Sequence, residues 1–187
     1  MPPQALHFTG EAEADRLLAE EPLALLIGFV LDQQVTVQTA FLGPLKLKQR
    51  LGTLDAATIA NTDPDRLTEI FRERPAIHRF PAAMATRVQD LCAAVADEHG
   101  GKAERVWTQA VDATDLRKRV GALPGFGPMK IKALGSVLAK RFGVAAAEGL
   151  VPDHPTLGDV DSVAALEEYQ GKKRAHKAEL RARAKGA

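Results

Sequence analysis

The chain has 187 residues and a formal net charge of +1, with 45% hydrophobic and 26% charged residues. These values fit a globular protein of one compact domain or two small lobes, and they exclude a disordered chain. Cys92 is the single cysteine, which excludes an internal disulfide, a four-cysteine zinc site and an iron–sulfur cluster held by this chain alone. The longest apolar run, Leu23 to Leu31, is shorter than the roughly 20 residues that cross a bilayer, so we expect a cytoplasmic protein that does not bind membranes.

Helical signals dominate the first half of the chain. We predict helices after Thr9, from Pro22 to Leu31, from Val35 to Leu51, after the capping residues Asp55 and Asp63, and from Pro81 to His99. The second of these is apolar on nearly every side, which is typical of a central, buried helix. Gly43-Pro44 falls inside the third, where we expect a kink or a break because proline removes a backbone hydrogen bond.

The second half of the chain also predicts helices. One follows a cap at Thr114, the next spans 128–142, and the last follows Asp161-Ser162, with Asp161 as the expected cap. A loop rich in glycine, proline and aspartate covers 143–161, and the last helix dissolves into a basic tail over 171–187. No run alternates apolar and polar residues for long enough to indicate a strand. We therefore predict an all-α fold of short helices, with 1–187 as a single unit.

The charges are segregated along the chain. Residues 1–70 hold 5 lysines and arginines against 10 acidic residues, whereas residues 71–187 hold 20 against 14. Within the second part, the stretch from Arg117 to Arg141 carries seven basic residues and no acidic one. The tail from Gly171 is also basic, with Glu179 as its one acidic residue. Because local potential and not net charge governs binding to a polyanion, the near-neutral total does not exclude nucleic acid.

The most informative motif runs from Leu123 to Gly127, between two predicted helices. Gly125 and Gly127 allow a tight turn and expose backbone N–H groups with no Cβ in the way. Pro128 begins the next helix, whose N-terminus directs its positive dipole end toward the same place. We expect Phe126 to be buried between the two helices and to hold the hairpin closed. The turn and the helix N-terminus together predict a phosphate-binding site made of backbone.

Basic residues frame this motif. Lys130, Lys132 and the run from Arg117 to Arg119 would attract a polyanion over a long range. A Gly-x-Gly turn between helices also occurs as a plain corner without a ligand, and the residues alone leave that alternative open. The preceding Leu-Pro and the acid-free basic stretch favour binding over a plain corner.

The motif Leu-Pro-Gly-Phe-Gly, followed by a helix and a Gly/Pro loop with aspartates, resembles the helix-hairpin-helix DNA glycosylase superfamily. That superfamily includes endonuclease III and the adenine-mismatch and alkyladenine glycosylases. The likeness is greatest to an uncharacterised branch, through 75–81, 106–108 and 156–162. The resemblance implies a compact, two-lobed helical fold and a nucleoid-associated monomer that acts on double-stranded DNA with a damaged or mismatched base. It implies no cofactor or metal here, because the iron–sulfur cluster of some relatives needs cysteines that this chain lacks.

The resemblance extends to the end of the apolar helix, where Gln33 and Gln34 follow Leu31-Asp32. A glycosylase takes its target base out of the stack at a cost of a few kcal/mol, and a side chain should fill the vacated space. An amide can hydrogen-bond either base of an orphaned pair, so both glutamines suit this role, and the family's register favours Gln34. The alternative is a pair of glutamines that are merely exposed at a helix end.

Cleavage of the N-glycosidic bond requires a further group. Positive charge builds on the sugar, and a fixed carboxylate stabilises it and can orient or activate water. In the family this carboxylate is an aspartate soon after a Gly/Pro loop. The candidates here are Asp159 and Asp153. Position just ahead of the last helix and likeness to the uncharacterised branch favour Asp159, whereas spacing from the hairpin favours Asp153.

Family members that also cut the DNA strand form a Schiff base through a lysine two residues beyond the second hairpin glycine. This chain has Met129 at that position, among the predicted DNA contacts, and Lys130 lies one place further, about 100° round the helix. The resemblance therefore implies a monofunctional glycosylase without lyase activity. Two rival hypotheses are a non-catalytic helix-hairpin-helix DNA-binding protein and a helical domain whose hairpin serves protein contacts.

Overall fold

The computed structural model describes residues 2–186. Within this range the chain forms ten α-helices, two short 3-10 helices and no strand, which confirms the predicted all-α fold. In chain order the α-helices are α1 (Ala12–Glu20), α2 (Pro22–Leu31), α3 (Val37–Leu51), α4 (Ala56–Ala60), α5 (Pro64–Arg72), α6 (Pro81–His99), α7 (Arg105–Thr108), α8 (Ala113–Gly121), α9 (Pro128–Lys140) and α10 (Val163–Lys185). The 3-10 helices, Ala145–Leu150 and Leu157–Asp159, lie between α9 and α10.

Helix α2 is the buried centre of the first half of the chain, as predicted. Every residue from Leu23 to Leu31 is buried, because the segment has no polar side, and α1, α3 and α6 pack around it. A side chain at Gly28 would overlap the ring of Phe41, so this glycine lets α3 approach closely. The Phe41 ring packs edge-on against Phe8 and Phe29, with ring centroids 5.0 and 5.2 Å apart. This aromatic cluster fixes the position of α2.

Helix α3 continues through Gly43-Pro44, which excludes a break, one of the two outcomes that the sequence predicts there. Gly43 lies directly against Leu31 of α2, where a larger residue would overlap. Burial of this face of α3 outweighs the one backbone hydrogen bond that Pro44 removes.

The N-caps of α4 and α5 are the residues that the sequence predicts, whereas the N-caps of α8 and α10 are not. The side chains of Asp55 and Asp63 accept the expected N–H groups at the starts of α4 and α5. The cap of α8 is Asp112 and not Thr114, and the cap of α10 is Ser162 and not Asp161. In both cases the capping side chain lies close in sequence to the predicted one and accepts the backbone N–H of the residue three positions after itself. The distance is 2.8 Å for Asp112 and 3.1 Å for Ser162.

The second half of the chain is built around α8 and α9, which form the predicted hairpin. The 3-10 helix Leu157–Asp159 packs on α9, where Gly158 comes so close to the Ser136 backbone that a side chain would overlap it. Helix α10 does not dissolve into its basic tail but remains helical to Lys185. Lysine, arginine and alanine all have high helix propensity, which explains this continuation.

Buried apolar residues form one core that extends from Leu6 to Leu166. Cys92 belongs to it, and burial raises the pKa of its thiol to about 12, so it is a core residue and not a nucleophile. None of the helices within 2–186 combines the length and the apolarity that a bilayer crossing requires.

Candidate nucleic-acid interface

The turn between α8 and α9 has a backbone that glycine adopts most easily. Gly125 has a φ of 89°, a left-handed conformation that strains residues with a Cβ. A Cβ there would also come within 3.3 Å of Val30, so this glycine lets the turn approach α2. Gly127 is the N-cap of α9; it is exposed, and no atom lies within 4 Å of where its Cβ would be. The N-terminus of α9 is therefore open to an anion.

Phe126 joins the hairpin to the rest of the protein. Its side chain is buried, as predicted, and its ring centroid lies 6.5 Å from that of Phe29 on α2. Phe126 consequently packs the hairpin of α8 and α9 against the central helix α2.

Lys130 points away from the open face of the hairpin. Its Nζ donates to the carbonyl oxygen of Val30 at 3.2 Å, one of the carbonyls at the end of α2 that have no helical partner. Burial lowers the pKa of Lys130, although the nearby Asp32 opposes this shift. Met129 is 85% exposed at the family's Schiff-base position, and Lys132 is exposed on the same helix. The hairpin thus presents a thioether to solvent where a lyase would present an amine.

The two glutamines after α2 differ in their environments. The Gln33 amide is engaged at both ends, because its Nε2 donates to the Val30 carbonyl at 3.0 Å and its Oε1 accepts from Arg87 at 2.5 Å. Gln34 is exposed, and among residues 2–186 it is the one non-glycine residue with a positive φ, 56°. A left-handed conformation costs a residue with a Cβ roughly 1–2 kcal/mol. The chain therefore holds Gln34, and not Gln33, in a strained and accessible position.

His78 fixes the backbone of this segment, a role that could not be assigned from the sequence. Its Nε2 lies 3.1 Å from the carbonyl oxygens of both Leu31 and Gln33, and its Nδ1 accepts the Phe80 N–H at 3.0 Å. This pattern requires a neutral ring with the proton on Nε2. Burial lowers the pKa of His78 and so favours that neutral form. Phe80 itself is 39% exposed, and the guanidinium of Arg79 lies 4.9 Å from its ring centroid.

A depression of about 690 Å³, which we call the glutamine cavity, lies beside this segment. Its lining residues include Asp32, Gln33, Gln34 and Arg79, together with Gln170, Lys173, Arg174 and Lys177 of α10. Its lining thus includes four cationic side chains and a single carboxylate. The amides of Gln38 and Gln170 hydrogen-bond each other and fasten α10 to α3 at its edge.

Asp32 supplies that carboxylate, and it was not among the residues predicted from the sequence. Burial raises its pKa, while the positive charges of Lys173 and Lys130 oppose the rise. Burial also raises the pKa of Tyr169, and Asp32 adds to that shift. Neither oxygen of Asp32 accepts a hydrogen bond from the rest of residues 2–186. The one available signal was its position, directly between an apolar helix and the two glutamines.

Both predicted catalytic aspartates line a second, smaller cavity of about 400 Å³, which we call the loop cavity. The carboxylate of Asp159 accepts from Lys140 Nζ at 2.5 Å through Oδ1 and from the Thr156 N–H at 2.8 Å through Oδ2. Burial favours the neutral acid, but these hydrogen bonds outweigh it and hold the pKa of Asp159 below its ordinary value. Asp153 is exposed at the rim beside His154. The loop cavity therefore holds one fixed, ionised carboxylate and one that is free in solvent.

Replacing Asp159 with asparagine is expected to lower the free energy of unfolding at neutral pH by less than about 1 kcal/mol, because the ion pair with Lys140 is 34% and 41% exposed. The pKa of Asp159 is lower in the folded than in the unfolded protein, so its contribution is present at neutral pH and is lost as the pH falls through the folded-state value. Thermal denaturation of both proteins from about pH 7 to about pH 3 should show a difference that shrinks toward acid. A difference that grows toward acid would contradict this role.

The structure brings the hairpin, Lys130, Gln33 and Gln34 together around the end of α2, and it places Asp153 and Asp159 elsewhere. Helix α10 lies between the two cavities: Tyr169 lines the loop cavity, whereas its neighbour Gln170 lines the glutamine cavity. No residue lines both cavities within the part of the chain that the structure describes.

A helix N-terminus after a glycine turn binds phosphates, and a cluster of basic side chains is typical of a protein that binds nucleic acid. The chain belongs to the HhH-GPD superfamily of base excision DNA repair proteins, whose family model matches residues 27–184. This match confirms the resemblance seen in the sequence, and base excision repair on DNA is the general function that it supports. Searches of curated proteins and of solved structures gave no significant match.

Proposed function

We propose that the protein is a monofunctional DNA glycosylase that hydrolyses the N-glycosidic bond of a damaged or mismatched base in double-stranded DNA. We propose further that it acts as a monomer and as a single unit over 1–187. One observation carries the proposal: Gln34 is exposed and left-handed at a cationic cavity beside the hairpin. Backbone strain of this kind concentrates at functional sites. The Gln34 amide can fill the space that a flipped base leaves and can hydrogen-bond the orphaned partner.

The charges around Gln34 suit a bent or opened duplex. Phosphates of one strand bind at the N-terminus of α9, where Gly127 leaves the backbone N–H groups accessible. Lys173, Arg174 and Lys177 of α10 contact phosphates on the other side of the cavity. The exposed part of the Phe80 ring offers a surface on which an unstacked base can rest.

The proposed absence of lyase activity follows from the two residues at the start of α9. Met129 has no amine that could attack C1′ of the sugar. Lys130 has one, but its Nζ is hydrogen-bonded to the Val30 carbonyl in a half-buried position. Base release is therefore expected to leave an intact abasic site.

Hydrolysis also needs a carboxylate near the sugar. Asp159 and Asp153 are the candidates for this carboxylate that the sequence predicts. Either can act on the sugar when the flipped nucleotide reaches the loop cavity. Asp159 is already ionised and held in place by Lys140 and Thr156, which suits electrostatic stabilisation. Each of its oxygens keeps a second lone pair that can accept from a water molecule.

Incubation with duplexes that carry uracil, 8-oxoguanine, hypoxanthine, alkylated adenines or mismatches tests the function. We expect strand breaks in at least one duplex only after alkali is added, because the product is an abasic site. Borohydride should trap no covalent complex with wild-type protein, whereas Met129→Lys, which restores an amine at the family's position, should give one. Alkali-independent cleavage that is lost in Lys130→Gln would contradict the monofunctional proposal.

The same panel separates the rival functions. Duplex binding at low salt without release of any base would favour a non-catalytic DNA-binding protein. Absence of duplex binding at low salt would favour a hairpin that serves protein contacts, since phosphate contacts are strongest there.

A further inference from the structure

We infer that His78 is the positioning residue that presents Gln34 to DNA, and that it acts through the N–H group of its Nε2. The inference rests on the proposed function, because Gln34 is the side chain proposed to take the place of the flipped base. His78 is only 1% exposed, so it does not itself reach a base. Its effect on the reaction is therefore expected to pass entirely through the segment that carries Gln34.

This segment, between α2 and α3, takes two uncommon backbone conformations in a row. Asp32 has a φ of −76° and a ψ of 69°, and the Gln33 N–H donates to the Leu31 carbonyl at 2.8 Å, which is an inverse γ-turn. Gln34 follows with a φ of 56°. A glutamine keeps a left-handed conformation only where contacts from the surrounding structure impose it. The turn therefore needs support from outside the segment.

His78 gives that support at both ends of the γ-turn. Its Nε2 lies 3.1 Å from the carbonyl oxygen of Leu31 and 3.1 Å from that of Gln33, the first and third residues of the turn. The second carbonyl belongs to the peptide bond that leads into Gln34. Because a peptide bond is planar, a contact that holds this carbonyl also holds the backbone nitrogen of Gln34.

The ring of His78 is itself anchored to the protein interior. The preceding residue, Ile77, is fully buried and donates its N–H to the Phe71 carbonyl at 3.0 Å. At the other edge of the ring, Nδ1 accepts the Phe80 N–H at 3.0 Å. The imidazole thus connects the core at the end of α5 to the γ-turn at the end of α2.

The other side-chain donors near the segment are poorer supports. Lys130 donates to a carbonyl ahead of the turn. Arg79 reaches the Gln34 carbonyl at 3.5 Å in an exposed position, which is long for a hydrogen bond. Burial lowers the pKa of His78, and the charges of Arg79 and Arg87 add to this shift while the two accepting carbonyls oppose it. The neutral ring keeps both a donor and an acceptor.

Two variants each keep one half of this connection. In His78→Gln the amide nitrogen can take the place of Nε2 and donate to the two carbonyls. In His78→Asn the amide oxygen can take the place of Nδ1 and accept the Phe80 N–H, but the side chain is too short to reach the turn. We expect single-turnover base release to fall by about 10–10²-fold in His78→Asn and by less than about 3-fold in His78→Gln. Both melting temperatures should fall, because each variant loses a buried hydrogen bond.

A double-mutant cycle separates positioning from a general loss of structure. In a Gln34→Gly background, His78→Asn should lower base release by no more than about 3-fold, because the side chain that His78 positions is already absent. The fall in melting temperature should be the same in both backgrounds. A purely structural role would instead reduce the rate by the same factor with and without Gln34.

A fluorescent duplex reports the position of Gln34 without any chemistry. The probe carries 2-aminopurine opposite a tetrahydrofuran analogue of an abasic site. An amide that enters the gap alters the stacking of 2-aminopurine and hence its fluorescence. At saturating protein we expect this change with wild-type protein and with His78→Gln, and a much smaller one with His78→Asn.

The outcomes separate this inference from the proposed function. Equal losses in the Asn and Gln variants, wild-type behaviour in both, or an undiminished effect of His78→Asn in the Gln34→Gly background would overturn the role of His78. If wild-type protein releases no base from any duplex, but the fluorescence still separates the two variants, the glycosylase function fails and the role of His78 stands. If wild-type protein neither releases a base nor changes the fluorescence, both fail.

Discussion

Replacing Gln34 with glycine is expected to lower base release by roughly 10²-fold while the melting temperature stays equal or rises. Glycine adopts a φ of 56° without a Cβ penalty, whereas glutamine is strained there by about 1 kcal/mol or more. Without the amide, nothing fills the space of the flipped base, so an unstacking cost of a few kcal/mol is no longer offset. Single-turnover base release and thermal denaturation in one buffer measure both effects. Stability and activity should therefore change in opposite directions.

Gln33→Ala is the matched control, and it should behave differently. Its amide bonds the Val30 carbonyl and the Arg87 guanidinium, so its removal should lower the free energy of unfolding by about 1 kcal/mol. Base release should fall less than in Gln34→Gly, since Gln33 has no free amide to offer DNA. Equal losses of base release in the two variants, or a lower melting temperature in Gln34→Gly, would contradict the role of Gln34.

Local sequence patterns predicted those parts of the site that depend on neighbouring residues. Gly125 and Gly127 indicated the turn because glycine is needed for its backbone, and Phe126 was correctly expected to be buried. The 100° offset between Met129 and Lys130 also predicted correctly that Lys130 points elsewhere. These features follow from spacing along one stretch of chain, which a single sequence displays in full.

The rest of the site depends on contacts between distant segments. Lys130 meets the carbonyl of Val30, one hundred residues earlier, and His78 meets that of Leu31, 47 residues earlier. A spacing rule cannot predict such pairs, because packing of the helices brings them together. Asp32 was missed for the same reason, since the positive charges that act on it belong to Lys130 on α9 and Lys173 on α10.

The loop aspartates illustrate a different limit. Thr156 and Asp159 are spaced as a capping box, and the structure shows both of its hydrogen bonds around the short 3-10 helix. That pattern was visible in the sequence, but an aspartate ahead of a helix is equally typical of the family's catalytic residue. Sequence alone could not separate the two roles, because each requires the same residue type at the same position.

Replacing Lys173, Arg174 and Lys177 together with glutamine is expected to weaken duplex binding by about 10²-fold at moderate salt. The three side chains line the glutamine cavity on α10, and their loss removes up to three phosphate contacts. The slope of log Kd against log[salt] should therefore become shallower by as much as about 2.7. Fluorescence anisotropy of a labelled duplex over a salt series measures both quantities. Glutamine has nearly the helix propensity of lysine and arginine, so circular dichroism should show α10 intact.

The control places the same charge change further along the same helix. Arg181, Arg183 and Lys185 are exposed and lie beyond the cavity, and Arg183 pairs with Glu179. Their replacement by glutamine alters net charge equally but removes no contact at the cavity. If the proposed interface is right, this variant should lose much less affinity and keep most of the salt dependence. Equal losses of duplex affinity in the two triple variants would mean that α10 acts only through its overall charge. General attraction depends on how many charges are present, whereas direct contact depends on where they lie.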